Sequence, residues 1–304
     1  MASIPHSRTS AEDLEDLVPQ SVRTKDELVV DQAALESFPA SDVPSWTPTH
    51  AGTPSLTKPR VDTPRALTSR LKADIDALLV ASAADRSEYV TTAFLDSDRA
   101  VNRIPLPSGH EHENVEVAIR GLVEKGPDLV VGARYDEGDP TGIAALLGLA
   151  RVLEGRGFAR TLRLVAFTDG ANGAKAYAER LQKEKLEVRG LLVLDHLAFA
   201  PGHHSHVTLL SNLRSRGLVE EARDAFRTGT QIAVRGLSLP LVFPLAPTKI
   251  HRAFWKNGWQ AAIVTNRRAH SVKLARYELD YDALSAVVFG LAAVVARMCG
   301  GEGH

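Results

Sequence analysis

Leu129-Val130-Val131-Gly132-Ala133-Arg134-Tyr135-Asp136, followed after Glu137 by Gly138-Asp139-Pro140-Thr141-Gly142-Ile143-Ala144-Ala145-Leu146-Leu147, is the stretch on which the fold turns. Five apolar or small residues ending in a polar loop have the pattern of a strand buried on both faces. The run 141–153 that follows is apolar at helical spacing, and an Asp before Pro140 suits a helix start. A buried strand feeding an apolar helix opens a βαβ unit, which requires a parallel sheet.

The same alternation continues downstream. Residues 161–167 alternate as a strand, 174–183 are helical, and 190–194 form another buried strand. Helices are expected over 213–227 and 248–257, a strand over 261–265, and a long apolar-faced helix over 281–298. Upstream, Val115, Val117 and Ile119 alternate with polar residues. Short strands are expected near 89–94 and 103–106. Leu67, Leu71, Ile75, Leu78 and Leu79 recur at helical spacing behind Pro64. The implied architecture is α/β, a three-layer αβα sandwich with a mostly parallel central sheet over 63–304.

Residues 1–62 differ. They are rich in Pro, Ser, Thr and acidic residues without apolar periodicity, so a mostly disordered tail is expected. Within it Glu36-Ser37-Phe38-Pro39-Ala40-Ser41-Asp42 belongs to a short motif with Leu35 and Trp46 nearby, read as either a docking peptide or a segment packed on the domain.

Composition excludes several classes. A net charge of −1 gives no global basic field, and no basic stripe or stacking motif points to nucleic acid. The first ten residues lack the apolar core of a secretory signal, and no apolar run of about 18 residues reads as a membrane span. A cytoplasmic protein is expected. The one cysteine, Cys299, excludes an internal disulfide or a Cys-based zinc site.

In open α/β sheets, sites form at the carboxyl ends of the strands. Those ends here carry Arg134, Asp136 and Asp139, then Thr168 and Asp169, then Asp195 and His196, then Asn266, Arg267, Arg268 and His270. The cluster His203-His204-Ser205-His206 reads as a solvated loop.

The order of these segments resembles the di-zinc aminopeptidase family, which includes bacterial leucyl aminopeptidases, glutaminyl cyclases and the transferrin-receptor ectodomain. Val130 to Asp136 stands where that family writes VVGAHYD, and 138–147 where it writes DDNASGVAALL. Residues 160–167 match RTLRFVAF, 173–177 GSRAY, and 192–195 NLD. His251 with Phe254-Trp255 matches SDHASFW, and His270 with Leu279-Asp280-Tyr281 the final HTP…LDY region. The likeness spans 114–298, about 60% of the chain.

What the resemblance implies is a zinc-exopeptidase-like fold with a degenerate metal site. Arg134 replaces a histidine ligand, and no Glu exists in Thr168-Asp169-Gly170-Ala171, where the family has a Glu-Glu pair. The bridging Asp becomes either Gly138 by strict register or Asp139 if the loop slips by one residue. Asp195 and His270 are retained, and with Asp139 they are the remnant ligand positions. Asp169 is the one candidate substitute base. His251 corresponds to a residue outside the metal's immediate ligands. The expectation is a pseudoenzyme that has lost di-zinc peptidase activity and serves a binding or non-catalytic role for a small ligand, peptide or protein partner. The alternative is an active metal-dependent hydrolase or aminoacyl-transfer enzyme with a rebuilt mononuclear site. No cofactor is expected, with zinc at low occupancy as the other case. Arg134 is expected to fill the first zinc's place and pair with Asp195 or Asp139.

Overall fold

The computed structural model describes residues 63–95, 99–107, 113–123, 126–136, 138–197, 199, 206–240, 249–266 and 279–300. The expected tail 1–62 with its motif lies outside the described residues, as do His203, His204, Arg267, Arg268 and His270.

Among the described residues, eight strands form one sheet: β1 (Val101–Pro105), β2 (Glu113–Ile119), β3 (Asp128–Arg134), β4 (Leu162–Phe167), β5 (Val188–Leu194), β6 (His206–Asn212), β7 (Ala233–Leu239) and β8 (Ala261–Thr265). Their spatial order is β1-β2-β4-β3-β5-β8-β6-β7. The centre, β4-β3-β5-β8, is parallel, while β1, β2 and the β6–β7 pair join it through antiparallel contacts. The sheet is therefore mixed but mostly parallel. β3 sits at its middle and is buried up to its last residue, which is why its sequence lacks alternation.

Among the described residues, seven α-helices flank it: α1 (Pro64–Val80), α2 (Ala83–Leu95), α3 (Thr141–Val152), α4 (Gly170–Lys183), α5 (Arg216–Gly229), α6 (Ile250–Lys256) and α7 (Tyr281–Met298). Alternate strand residues face opposite layers. Leu129, Val131, Ala133, Leu192 and Leu194 pack with α1, α2, α3, α5 and α7. Val130, Val165, Phe167, Leu191 and Val193 pack with α4 and α6. The three layers expected from the alternation are present. α7 has the length and mean hydropathy, 1.5, of a membrane span, which the sequence reading did not credit. Its buried face, including Val287, Val288, Leu291 and Val295, packs in the first of these cores.

Two expectations need correction. Residues 89–94 are not a strand but the second half of α2. Ser82 and Asp85 bond reciprocally, Ser82 N to Asp85 Oδ2 at 3.3 Å and Asp85 N to Ser82 Oγ at 3.3 Å, a capping box that starts the helix. Val90, Ala93 and Phe94 then bury one helical face. His206 is not loop but the first residue of β6, and neither β6 nor β7 was expected.

Buried charges tie the helices of one layer together. Asp74 of α1, 2% exposed, takes a two-pronged contact from Arg151 of α3 at 2.5 and 2.9 Å and accepts from the Tyr89 hydroxyl at 2.7 Å. This tyrosine, placed by α2, fixes α1, α2 and α3 against one another.

Candidate functional site

The carboxyl ends of β4, β3, β5 and β8 lie side by side and bring most of the polar roster to one edge of the sheet. At the end of β3, Arg134 Nε donates to Asp136 Oδ1 at 2.9 Å. Asp136 Oδ2 in turn accepts the backbone N–H of Asp169 at 2.7 Å. Asp169 and Gly170, at the turn from β4 into α4, both have left-handed backbones, with φ of 48° and 47°. A Cβ at Gly170 would come within 3.4 Å of the Arg134 guanidinium carbon, so the guanidinium lies over this turn. The pairing expected for Arg134, with Asp195 or Asp139, is thus not the one formed. Asp136 lies two residues further along and is held in reach by the β4 turn, whereas Asp195 lies beyond β3 on the β5 side.

Asp139 is engaged locally. Its Oδ1 accepts from Thr141 N at 2.9 Å and Thr141 Oγ1 at 2.6 Å, closing the entry to α3. Thr141 Oγ1 also accepts from Leu197 N at 2.9 Å, which joins that entry to the chain leaving β5. Gly142 allows this approach, since a Cβ there would meet the Leu194 carbonyl oxygen at 2.4 Å.

Asp195, at the end of β5, is 5% exposed. Its Oδ1 lies 2.9 Å from His196 Nδ1, and its Oδ2 is buried with no hydrogen-bond partner. His196 has a left-handed backbone, φ 49°, an uncommon conformation for a residue with a Cβ. The sequence reading gave His196 no role; nothing in residue type or spacing announces a backbone angle.

His251 of α6 is 1% exposed, with its ring against Trp255 at a centroid distance of 4.3 Å. Burial, aided by the neighbouring Arg252 and opposed by Asp195, pushes its pKa down to about 4. The sign of the consequence follows from linkage. An unfolded histidine takes a proton near pH 6.5, and the buried ring resists until about 4. Stability is therefore intact above pH 6.5 and falls as the pH drops toward 4, by up to about 3 kcal/mol. Urea unfolding of wild type and His251→Leu at pH 7 and pH 5 tests this. The variant should lose less stability on acidification; equal losses would mean that the ring is not held neutral.

Among the described residues, no three His, Cys, Asp or Glu side chains converge where a metal ion could sit. The candidate base Asp169 receives Asn172 Nδ2 on its Oδ2 at 3.0 Å.

No protein-family model and no curated protein matches the sequence. The fold does have counterparts among solved structures. LapB from Legionella pneumophila superposes with a TM-score of 0.65 at 15% identity, covering 76% of this chain and 72% of that one. The LapA aminopeptidase from the same organism gives 0.64 at 13%, covering 80% and 78%. Porphyromonas gingivalis glutaminyl cyclase gives 0.56 at 13%, covering 79% and 100%. The chain thus has the fold of the zinc aminopeptidases and glutaminyl cyclases, as the resemblance implied.

Proposed function

We propose that this chain is an aminopeptidase-like domain that has lost di-zinc peptidase activity and whose cleft serves to bind a small ligand, peptide or protein partner. The observation carrying the proposal is Arg134, tied to Asp136 at 2.9 Å where the fold's first zinc ligand is expected. A guanidinium has no lone pair to give a metal and repels one by its permanent charge. Two further features support the reading. Asp139 is committed to the start of α3 through Thr141, which leaves it poorly placed to bridge two metal ions. Thr168 and Asp169 stand where the family's Glu pair supplies its base, and Asp169 is drawn into the turn by Asn172.

The test is hydrolysis of amino-acid anilides by the full chain with added zinc or cobalt, alongside metal analysis of protein purified without a chelator or metal-binding tag. No turnover above background and far less than one zinc per chain are expected. Metal-dependent turnover that disappears in Asp195→Ala would overturn the proposal in favour of a rebuilt mononuclear hydrolase.

A further inference from the structure

The two edges of the sheet are not alike. β1 closes one of them, ends in Pro105, and has its outward side chains engaged: Arg103 by Glu88 of α2 at 2.5 Å and Asn102 by Glu116 at 3.3 Å. Proline and paired charges of this kind keep an edge strand from joining another chain. β7 closes the other edge. It includes neither proline nor an acidic residue, and among the described residues it pairs with β6 alone. Ala233, Arg235 and Gly236 are exposed, and Leu237, Ser238 and Leu239 are half-buried. Such an edge offers backbone donors and acceptors to an extended segment that meets it.

The side chains say what kind of segment fits. Val234 turns into the core beneath α5, so alternation places Arg235, Leu237 and Leu239 together on the opposite face, where the two leucines pack at the margin of the second core. An added strand therefore meets a cation and then two apolar residues, every second position. The turn after β6 packs against β7 and adds Leu213, 59% exposed, and Arg214 beside the Leu239 end. The carboxylates between β6 and β7 do not neutralise these arginines. Glu220 pairs with Arg216 at 2.7 Å, Glu221 with Arg189 at 2.5 Å and Asp224 with Arg223 at 3.0 Å. Arg214 and Arg235, both exposed, carry no ion pair among the described residues. A second copy of this chain fits poorly, because a two-fold interface sets a patch against itself and would face arginine with arginine.

We propose that the outer edge of β7 is a docking site for an extended acidic segment of a partner protein, which adds to the sheet as a further strand. Its backbone pairs with β7, an acidic side chain meets Arg235, apolar side chains lie against Leu237 and Leu239, and a second acid meets Arg214. This surface lies beyond β8 and β6 from the strand ends that carry Arg134 and Asp195, so it does not rest on the fate of the metal centre.

The probe is a capped synthetic peptide, TETVTVTE, labelled for fluorescence anisotropy and titrated with the full chain, with TKTVTVTK as its control. The glutamate peptide should bind at least about tenfold more tightly than the lysine peptide, by an amount that falls as salt rises. Arg235→Glu should reverse that order. Its urea midpoint should match that of wild type, because the side chain is exposed. N-methylation of one alternate set of peptide amides should abolish binding while the other set leaves it, since only one edge of an added strand faces β7. No saturable binding overturns the proposal, as do equal affinities for the two peptides, indifference to Arg235→Glu, or equal effects of the two methylated sets. Failure of both peptides to bind a chain that sediments as a dimer would assign the edge to a second copy and overturn it equally.

Discussion

Replacing Glu116 by alanine should lower stability by about 3–5 kcal/mol, as expected when a buried ion-pair network loses its acceptor. Glu116 lies on β2 and has no solvent exposure. Its Oε2 accepts from the Tyr177 hydroxyl of α4 and from Arg163 Nη1 of β4 at 3.2 Å. Its Oε1 accepts from Asn102 Nδ2 of β1 at 3.3 Å and from Arg180 Nη1 of α4 at 3.5 Å. One carboxylate thus joins three strands and a helix. Without it, the Tyr177 hydroxyl loses its acceptor, and Arg163 is left with Asp128 at 2.6 Å. Burial, the largest of the causes that raise the Tyr177 pKa, remains in the variant, so the hydroxyl does not ionise to compensate. Urea unfolding should show a lower midpoint with an unchanged slope. A loss under about 1 kcal/mol would mean that water enters the gap and resolvates the arginines.

Glu116 also shows where a sequence reading stops. Its place in an alternating strand was legible, because Val115 and Val117 take the core positions on one face. That its own side is covered by α4 was not, since four donors from distant segments meet only after folding. The central sheet was legible for a simple reason: strand segments buried on both faces must be apolar, and residues 129–133, 164–167, 190–194 and 261–264 are. α2 was misread because Tyr89 to Phe94 favours strands by residue type, while the Ser82–Asp85 capping box carries the stronger, positional signal. β6 and β7 were missed because they lie toward an edge, where polar residues such as Thr208, Ser211, Arg235 and Ser238 interrupt the apolar run.

The candidate site divides along the same line. Its location, at the ends of β3, β4, β5 and β8, follows from strand order alone. Arg134 was expected to pair with Asp195 or Asp139, but the carboxylate that it bonds is another, Asp136. Which one is decided by the left-handed turn at Asp169 and Gly170, which brings the Asp169 N–H onto Asp136 and fixes that side chain beneath the guanidinium. His196 drew no attention as a residue type next to an Asp. Its left-handed backbone angle, the bond from its carbonyl to the end of β8 and the bond from its neighbour Leu197 to α3 are not encoded by spacing.

Gly173→Ala should destabilise the protein by about 3 kcal/mol, against the sign that helix propensity alone would give. In an open helix, alanine for glycine stabilises by up to about 1 kcal/mol. Gly173 lies in the first turn of α4, but a Cβ there would come 2.0 Å from the Thr168 carbonyl oxygen and 2.8 Å from Asn114 Oδ1. Neither atom can easily retreat. Asn114 is fully buried and bridges the two elements, donating Nδ2 to the Gly173 carbonyl at 2.9 Å and accepting Thr168 N on its Oδ1 at 3.1 Å. The methyl group must therefore push α4 off the end of β4 or break that bridge, and either movement displaces the Asp169 turn on which Asp136 and Arg134 rest. Gly217→Ala provides the contrast: it lies in the first turn of α5, and a Cβ there meets nothing within 4 Å. That variant should be neutral or more stable. Urea unfolding of the pair reads the difference directly. If Gly173→Ala were also neutral, the β4–α4 turn would have room to give, and it could not be the rigid support that holds Arg134 over the first strand end.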